Sequence, residues 1–449
     1  MIRRGFLGIR VSHPAQLVVI AFLVAIAVGT VLLLAPFATA EGGRPSVVTA
    51  LFTATSAVCV TGLVTVDTAT YWSGYGQGVI LALIQLGGFG IMTLASLAAI
   101  FISHRLGLRS RLLARAETGA LELGDVRRIL VGVAKFTVVF EVAAMLALTA
   151  RFWLAYDESL PRAAWLGLFH AVSAFNNAGF ALFSDSLSGF LADPFVLLVI
   201  ALVVIAGGLG FPVMMELRAE PRRWRRWSLH TKLTVGMTAA LLVLGTVAVS
   251  ALEWANPDTL GALNSGETAS AGFFSAVMPR TAGFNAIDYA DVTESTQLIT
   301  VLLMFIGGGA AGTAGGIKVT TAAVIILMVW AELRGDPDVS RFGRRIPPVA
   351  QRQALAVVVI GLAALFGGNL LLIGLSDFGI SQTLFEATSA FGTVGLSTGI
   401  TGLLPVPAQL VLVALMFLGR VGPLTLGTAL VLRERNRLYR FPEERPIIG

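Results

Sequence analysis

The sequence predicts an all-α integral membrane protein, in which four tandem units surround one central axis. Each unit consists of a span, a re-entrant half-helix and a second span. Three observations support this fold. The chain has 449 residues, of which 56% are hydrophobic and 13% are charged, whereas soluble domains carry about 25% charged residues. Apolar runs long enough to cross a bilayer recur along the chain. Four of the short segments that connect these runs share one pattern.

The apolar runs predict eight spans, and the segments between them alternate in charge. Lysine and arginine mark cytoplasmic segments, whereas the outer segments hold Arg44, Arg151 and Arg162 against an excess of acids. We therefore predict a multi-pass protein with both termini in the cytoplasm. The basic segments are the N-terminal arm, 103–128, 216–232, 332–352 and 433–449. The predicted spans are Pro14–Ala35, Gln77–Ser103, Ile129–Leu154, Asp193–Met215, Leu233–Leu252, Leu298–Trp330, Ala354–Ser376 and Pro407–Leu432.

Four outer segments align without a gap, and each begins with phenylalanine and reaches a glycine ten residues later. A second glycine motif follows inside each incoming span. Four such pairs in register indicate an internal fourfold repeat, with units at 1–103, 104–216, 217–334 and 335–449. The aligned segments are Phe52–Leu63, Phe169–Phe180, Phe273–Phe284 and Phe385–Leu396, and the second motifs begin at Gly87, Gly207, Gly307 and Gly419.

Each aligned segment is too short to cross the bilayer, so we predict a half-helix that dips in and returns as an extended strand. Half-helices around one axis point their partly negative C-terminal ends at a central pore, which favours a cation. Backbone carbonyls replace the water of a dehydrated cation only if they turn inward, and that conformation requires positive φ, hence glycine. The absence of a carboxylate in these strands argues against a calcium site. The alternative is that the glycines only permit close helix packing. The candidate ligands are Val60, Thr61, Gly62, Asn177, Ala178, Gly179, Thr281, Ala282, Gly283, Thr393, Val394 and Gly395.

The sixth predicted span, Leu298–Trp330, would be about 50 Å long as one helix, whereas the hydrocarbon layer is about 30 Å thick. Residues 307–316 comprise six Gly, three Ala and one Thr, and glycine disfavours helix. We therefore predict a loop inside the membrane that gates the permeation path; the alternative is a kinked, packed helix. Arg420 is expected to bind loop carbonyls. Glu386 is expected to pair with one of the intramembrane cations. The candidate gate residues are Gly307, Gly308, Gly309, Gly312, Thr313, Gly315, Gly316, Lys318 and Arg420.

With these motifs the chain resembles the Trk/Ktr/HKT superfamily of potassium transporters, and in particular the membrane subunit of Ktr-type bacterial uptake systems. The motifs are ATSAVCVTGL at 54–63, RTAGFN at 280–285, GGGAAGTAGGIK at 307–318 and SAFGTVGLSTG at 389–399. The resemblance implies a potassium-channel-like fold and potassium uptake across the bacterial plasma membrane. In that family, serine at the first filter position accompanies sodium permeation, so Gly62 favours potassium.

The resemblance also implies partners. It implies a homodimer with one pore per protomer, sodium as an activating ion, and a separate cytoplasmic ring of regulatory subunits that binds ATP or ADP. The tail Arg433–Gly449 is the expected docking point for that ring. Potassium is the transported ion, membrane lipid surrounds the protein, and no organic cofactor or nucleic acid is expected.

Other classes of function have little support in the sequence. Neither an HExxH motif nor a phosphate-binding GxxxxGK[ST] loop is present, so an enzyme is not expected. A single cysteine, Cys59, excludes a disulfide framework. The alternative function is a sodium-coupled secondary solute transporter with discontinuous helices, a class usually built from inverted repeats. Four units of one orientation argue against it.

Overall fold

The computed structural model describes residues 14–106 and 123–432. This part of the chain is helical, and its strands are a short antiparallel pair, Ser340–Arg341 with Arg344–Arg345. The N-terminal arm, most of the basic segment 103–128, and the tail Arg433–Gly449 lie outside the described residues. The expected cytoplasmic termini and the docking role of the tail therefore stay predictions.

The helices are numbered here in chain order. They are α1 (Pro14–Leu33), α2 (Val47–Cys59), α3 (Thr68–Tyr71), α4 (Gly74–Leu106), α5 (Leu123–Ala155), α6 (Leu160–Phe175), α7 (Pro194–Leu209), α8 (Phe211–Ala219), α9 (Leu229–Glu253), α10 (Ser265–Val277), α11 (Glu294–Phe305), α12 (Val319–Arg334), α13 (Pro348–Leu375), α14 (Ile380–Gly392) and α15 (Val406–Leu432).

Five of these helices, α4, α5, α9, α13 and α15, contain apolar stretches long enough to cross a membrane. The pair α7 and α8 adds a sixth if the two are counted as one bent span. The chain is therefore a membrane-spanning protein. Among the remaining predicted spans, Pro14–Ala35 corresponds to α1, and Leu298–Trp330 corresponds to the pair α11 and α12.

Four short helices, α2, α6, α10 and α14, coincide with the aligned segments. They contain 13, 16, 13 and 13 residues, and at about 1.5 Å per residue they are too short to cross the hydrocarbon layer. Local sequence explains where two of them begin. Ser46 caps α2 by accepting from Thr49 N, and Asn264 with Glu267 forms a capping box at α10, which satisfies amides that a helix start leaves unpaired. Their C-terminal halves are buried.

Two of the predicted spans are broken. The break predicted at residues 307–316 is present, because α11 ends at Phe305 and α12 begins at Val319. The prediction of one continuous span at Asp193–Met215 is wrong, because α7 and α8 meet at an angle of 99°. Gly210, between them, has a φ of 92°, which lies outside the helical region.

Proline explains the second break. Pro212 has no amide hydrogen for a helical bond to Gly208 O, and Gly208 O instead accepts from Gly309 N at 2.8 Å. The amide of Phe211 likewise turns away from α7 and donates to Ala311 O at 3.3 Å. The broken helix therefore exchanges its own hydrogen bonds for bonds to the loop between α11 and α12.

Candidate functional site

The C-terminal ends of α2, α6, α10 and α14 each run into a short extended segment. These four segments are called here the candidate filter strands: Val60–Gly62, Asn177–Gly179, Thr281–Gly283 and Thr393–Gly395. Their first residues have φ values of 56°, 59°, 70° and 50°, and their glycines have φ values of 91°, 69°, 73° and 100°. A non-glycine residue with positive φ costs about 1–2 kcal/mol, so one strained conformation is repeated four times.

The glycines bring the candidate filter strands into a closed ring. A Cβ built on Gly179 would lie 2.8 Å from Ala282 O, and one built on Gly62, Gly283 or Gly395 would overlap a carbonyl oxygen of the neighbouring strand. Each of these positions is also within 2.9 or 3.1 Å of the next glycine's Cα. The contacts run from the first strand to the fourth and back to the first. The structure thus brings all twelve predicted ligand residues together.

Serines on the short helices hold the candidate filter strands. Ser56 Oγ accepts from Gly62 N at 3.0 Å, and Ser389 Oγ accepts from Gly395 N at 3.1 Å. Ser173 instead donates to Phe180 O at 2.8 Å. Sequence reasoning missed these serines, although the alignment of the four segments places them in one column, which holds Val277 in the third segment.

The predicted loop, residues 307–316, is called here the glycine loop, and it is almost entirely buried. Its amides bond to the end of α7, where Thr313 N donates to Gly207 O at 3.1 Å. A Cβ on Gly315 would overlap Thr393 Oγ1, and one on Gly307 would lie 3.1 Å from Thr281 Cγ2. The glycine loop therefore lies against the first residues of the third and fourth candidate filter strands.

The glycine loop also contacts the second candidate filter strand, through Thr313. The Thr313 hydroxyl donates to Phe175 O at 3.1 Å. The Asn177 amide satisfies its surroundings when its nitrogen faces Thr313, because it then donates to Thr313 Oγ1 at 2.9 Å and to Val204 O at 3.2 Å. We assign that orientation, since the opposite one leaves the amide oxygen facing only acceptors.

Three cationic side chains donate to carbonyls of the glycine loop. Arg420 donates to Thr313 O and, at 3.4 Å, to Gly87 O. Lys318 donates to Ala314 O at 2.5 Å and to Gly315 O at 3.4 Å. Arg280 donates to Gly307 O at 3.2 Å and to Thr238 O at 3.2 Å. The expected contact between Arg420 and the loop is therefore present, and the loop is held by charge-assisted hydrogen bonds.

The buried glutamates Glu386 and Glu141 do not pair with these cations. Glu386 accepts from Ser397 Oγ at 2.5 Å, Thr398 N at 3.1 Å and Thr401 Oγ1 at 2.8 Å. The expectation that it pairs with a cation is therefore wrong, because nearby hydroxyls and an amide occupy its oxygens.

Glu141, whose partner the sequence does not indicate, accepts from the amides of Gln85 at 3.4 Å and Asn176 at 3.1 Å. Within the described residues, no group of three or more His, Cys, Asp or Glu side chains is arranged to hold a metal ion.

The chain is thus a membrane-spanning helical protein in which a buried loop lies beside a ring of four backbone strands. The family model described as TrkH, cation transport protein, matches residues 6–437. The chain belongs to this family of cation transporters, which are not enzymes.

The chain is similar to named relatives over nearly its full length. It is 40% identical to the Ktr system potassium uptake protein B of Bacillus subtilis, covering 97% of each chain. It is 35% identical to the potassium/sodium uptake protein NtpJ of Enterococcus hirae, again covering 97% of each chain. Its fold matches the crystal structure of the potassium transporter TrkH from Vibrio parahaemolyticus with a TM-score of 0.73 and 19% identity, covering 96% of this chain and 87% of that one.

Proposed function

We propose that this protein takes up potassium ions through the ring of candidate filter strands, which acts as a carbonyl-lined selectivity filter. The observation that carries the proposal is the closed ring, in which four backbones with the same alternation of φ each contact the next. Such a ring offers oxygen ligands without a carboxylate, which suits a weakly hydrated monovalent ion. The relatives are named as potassium or potassium/sodium uptake proteins, which supports the same ion.

In this proposal the glycine loop, with Lys318 and Arg420, is a gate. The loop lies against the first residues of three candidate filter strands, and Arg420 binds its backbone at Thr313. A buried positive charge beside the path would also repel a permeating cation. Release of the loop from Arg420 would open the path.

The proposed architecture has four repeats, at 1–103, 104–216, 217–334 and 335–449, and eight spans around one pore. We place the protein in the bacterial plasma membrane with both termini in the cytoplasm, because lysine and arginine concentrate in the segments on that side. The α11–α12 pair is the broken second span of the third repeat.

The proposed protein is one component of a larger system. The relatives are named as parts of Ktr systems, which supports a system of several components. In our proposal the protein forms a homodimer that sits on a cytoplasmic ring of nucleotide-binding subunits. ATP or ADP on that ring would move the gate. Sodium is proposed as an activating ion, which the potassium/sodium name of the Enterococcus relative supports.

The experiment that tests the filter assignment is Gly62→Ser, with flux measured in vesicles that contain the purified protein. The added Cβ would overlap Ala178 O, and Gly62 has a φ of 91°, so the carbonyl ring must distort. We expect the potassium-to-sodium permeability ratio to fall roughly tenfold, which corresponds to about 1.4 kcal/mol.

The matched control is Gly90→Ser, because a Cβ on Gly90 meets nothing within 4 Å. It should leave the permeability ratio unchanged. A folded Gly62→Ser protein with the original ratio would show that the ring is not the filter.

A further inference from the structure

Two buried polar side chains occupy the same position in different short helices. The second residue of each aligned segment is Thr53, His170, Phe274 or Glu386. His170 and Glu386 have no exposed surface. Both accept a hydrogen bond from the backbone beyond their own candidate filter strand, so the two side chains act on equivalent parts of the chain.

The acceptor geometry matches between the two. His170 Nε2 accepts from Leu182 N at 3.3 Å, and Glu386 Oε1 accepts from Thr398 N at 3.1 Å. Leu182 and Thr398 are each the third residue after their filter glycine, Gly179 or Gly395. The same backbone amide is therefore held in the same way by two different side chains.

Each side chain is itself fixed by neighbours. The Nδ1–H of His170 donates to Leu166 O at 2.8 Å, which leaves Nε2 as the acceptor of a neutral ring. The ring also stacks on Phe183, with a centroid distance of 5.0 Å. Glu386 accepts from the hydroxyls of Ser397 and Thr401 as well. Neither contact depends on a flexible, exposed side chain.

The two contacts lie on opposite sides of the ring. Because the candidate filter strands contact one another in chain order, the second and fourth are not neighbours. The other two segments lack an equivalent: Phe274 is apolar, and the hydroxyl of Thr53 has no hydrogen-bond partner among the described residues. The ring is thus held by these contacts only behind its second and fourth strands, which lie opposite each other.

We propose that His170 and Glu386 are positioning residues that set the discrimination between potassium and sodium, an inference that rests on the proposed filter. Each strand begins with a residue in a strained conformation, Asn177 or Thr393, and such strain persists only when the surroundings fix it. A serine on the short helix bonds to Gly395, at the end of the fourth strand, or to Phe180, directly after the second strand. His170 or Glu386 secures the backbone two or three residues further on. Without the second contact, the carbonyls would move more freely and adapt to the smaller ion.

The test measures the permeability ratio and the maximal potassium flux of purified full-length protein in vesicles. The variants are Glu386→Leu and His170→Phe, each of which removes the side-chain atom that accepts from the backbone amide. We expect each to lower the potassium-to-sodium ratio about tenfold while maximal potassium flux changes less than about twofold, since a buried hydrogen bond to a charged or fixed acceptor is lost. His170→Gln, whose oxygen can again accept the Leu182 amide, should restore the ratio.

The matched control is Thr53→Val, at the equivalent position, where the hydroxyl bonds to none of the described residues. It should keep the ratio of the parent protein. If Glu386→Leu does not fold, Ser397→Ala and Thr401→Val each remove a hydrogen bond that fixes the Glu386 carboxylate, and they should lower the ratio in its place.

Unaltered ratios in folded His170→Phe and Glu386→Leu proteins, with a reduced ratio in Gly62→Ser, would overturn the positioning role and leave the filter standing. Unaltered ratios in all three would overturn the filter, and the positioning role with it. A loss of flux at constant ratio would show that the two side chains serve folding alone.

Discussion

The helices that follow the candidate filter strands are of two kinds. α4 and α15 run unbroken past their glycine motifs, whereas the α7–α8 and α11–α12 pairs are interrupted there. In the unbroken helices the first glycine, Gly87 or Gly419, has no room for a Cβ, which would overlap the carbonyl oxygen of Val58 or Phe391. These glycines let α4 and α15 pack against the ends of α2 and α14.

The difference shows that one motif serves two purposes. Gly207 makes the same close contact, with Phe175 O, yet its helix still breaks three residues later, because Pro212 leaves a carbonyl of α7 unpaired. The glycine loop then supplies the missing amides. The motif by itself therefore produces close packing, and a break requires an additional proline or an extended run of glycine. The two interrupted helices adjoin each other and share one set of hydrogen bonds.

The largest expected effect is a loss of stability from a substitution in the unbroken helix α4. Gly87→Ala places a methyl group against Val58 O and within 2.9 Å of Val60 Cγ2, and overpacking of this kind costs about 1–3 kcal/mol. Thermal unfolding of the purified protein in detergent should show a loss of stability near the upper end of that range.

Gly90→Ala, in the same motif and helix, is the control with the opposite expected sign. A Cβ there meets nothing within 4 Å, and alanine is favoured over glycine in a helix by about 1 kcal/mol. Equal tolerance of the two substitutions would show that close packing is not the purpose of the motif in α4.

On the broken side, the largest effect is expected at Arg420. Arg420→Ala removes the hydrogen bond to Thr313 O and a buried positive charge, so the glycine loop should move more readily. We expect potassium influx to rise about tenfold, the result of a loss of about 1.4 kcal/mol. Influx in cells that lack other potassium uptake, or in vesicles, would measure it.

Arg345→Ala is a suitable control, because this exposed arginine bonds to Asp338 at 2.7 Å and lies in the short antiparallel strand pair. It should leave influx unchanged. A folded Arg420→Ala protein with unaltered or reduced influx would mean that the loop is a structural break and not a gate.

Sequence analysis predicted the features that recur along the chain, and the one span that is too long for the bilayer as a single helix. The phenylalanine-to-glycine spacing predicted four equivalent strands, and the length of Leu298–Trp330, about 50 Å as one helix, predicted the break at residues 307–316. The second break was missed because Gly210 and Pro212 fall in Asp193–Met215, a predicted span of ordinary length, so its length gave no sign of a break. The partners of Glu386 were missed for another reason: Ser397 and Thr401 lie beyond the strand, and only the fold returns them to the helix.

The smallest expected effect concerns a contact between Asp67, which precedes the unbroken helix α4, and Ser184, which precedes the broken pair α7 and α8. Asp67 precedes α3, and its carboxylate accepts from Ser184 Oγ at 2.6 Å and Thr70 Oγ1 at 2.7 Å. Partial burial disfavours the charge, but the hydrogen bonds from Ser184 and Thr70 outweigh it and lower the pKa of Asp67 below its ordinary value.

A lowered pKa in the folded state means that Asp67 stabilises the fold above its ordinary pKa, and that this contribution is lost as the pH falls through the lowered value. Asp67→Asn should therefore reduce stability by less than about 1 kcal/mol at neutral pH, and the difference from the parent protein should shrink below about pH 4. Unfolding temperatures measured across this pH range would test it. Ser184→Ala should raise the pKa of Asp67 and reproduce part of the loss. A difference that grows on acidification would show that the carboxylate opposes the fold, and that the two units are held together by other contacts.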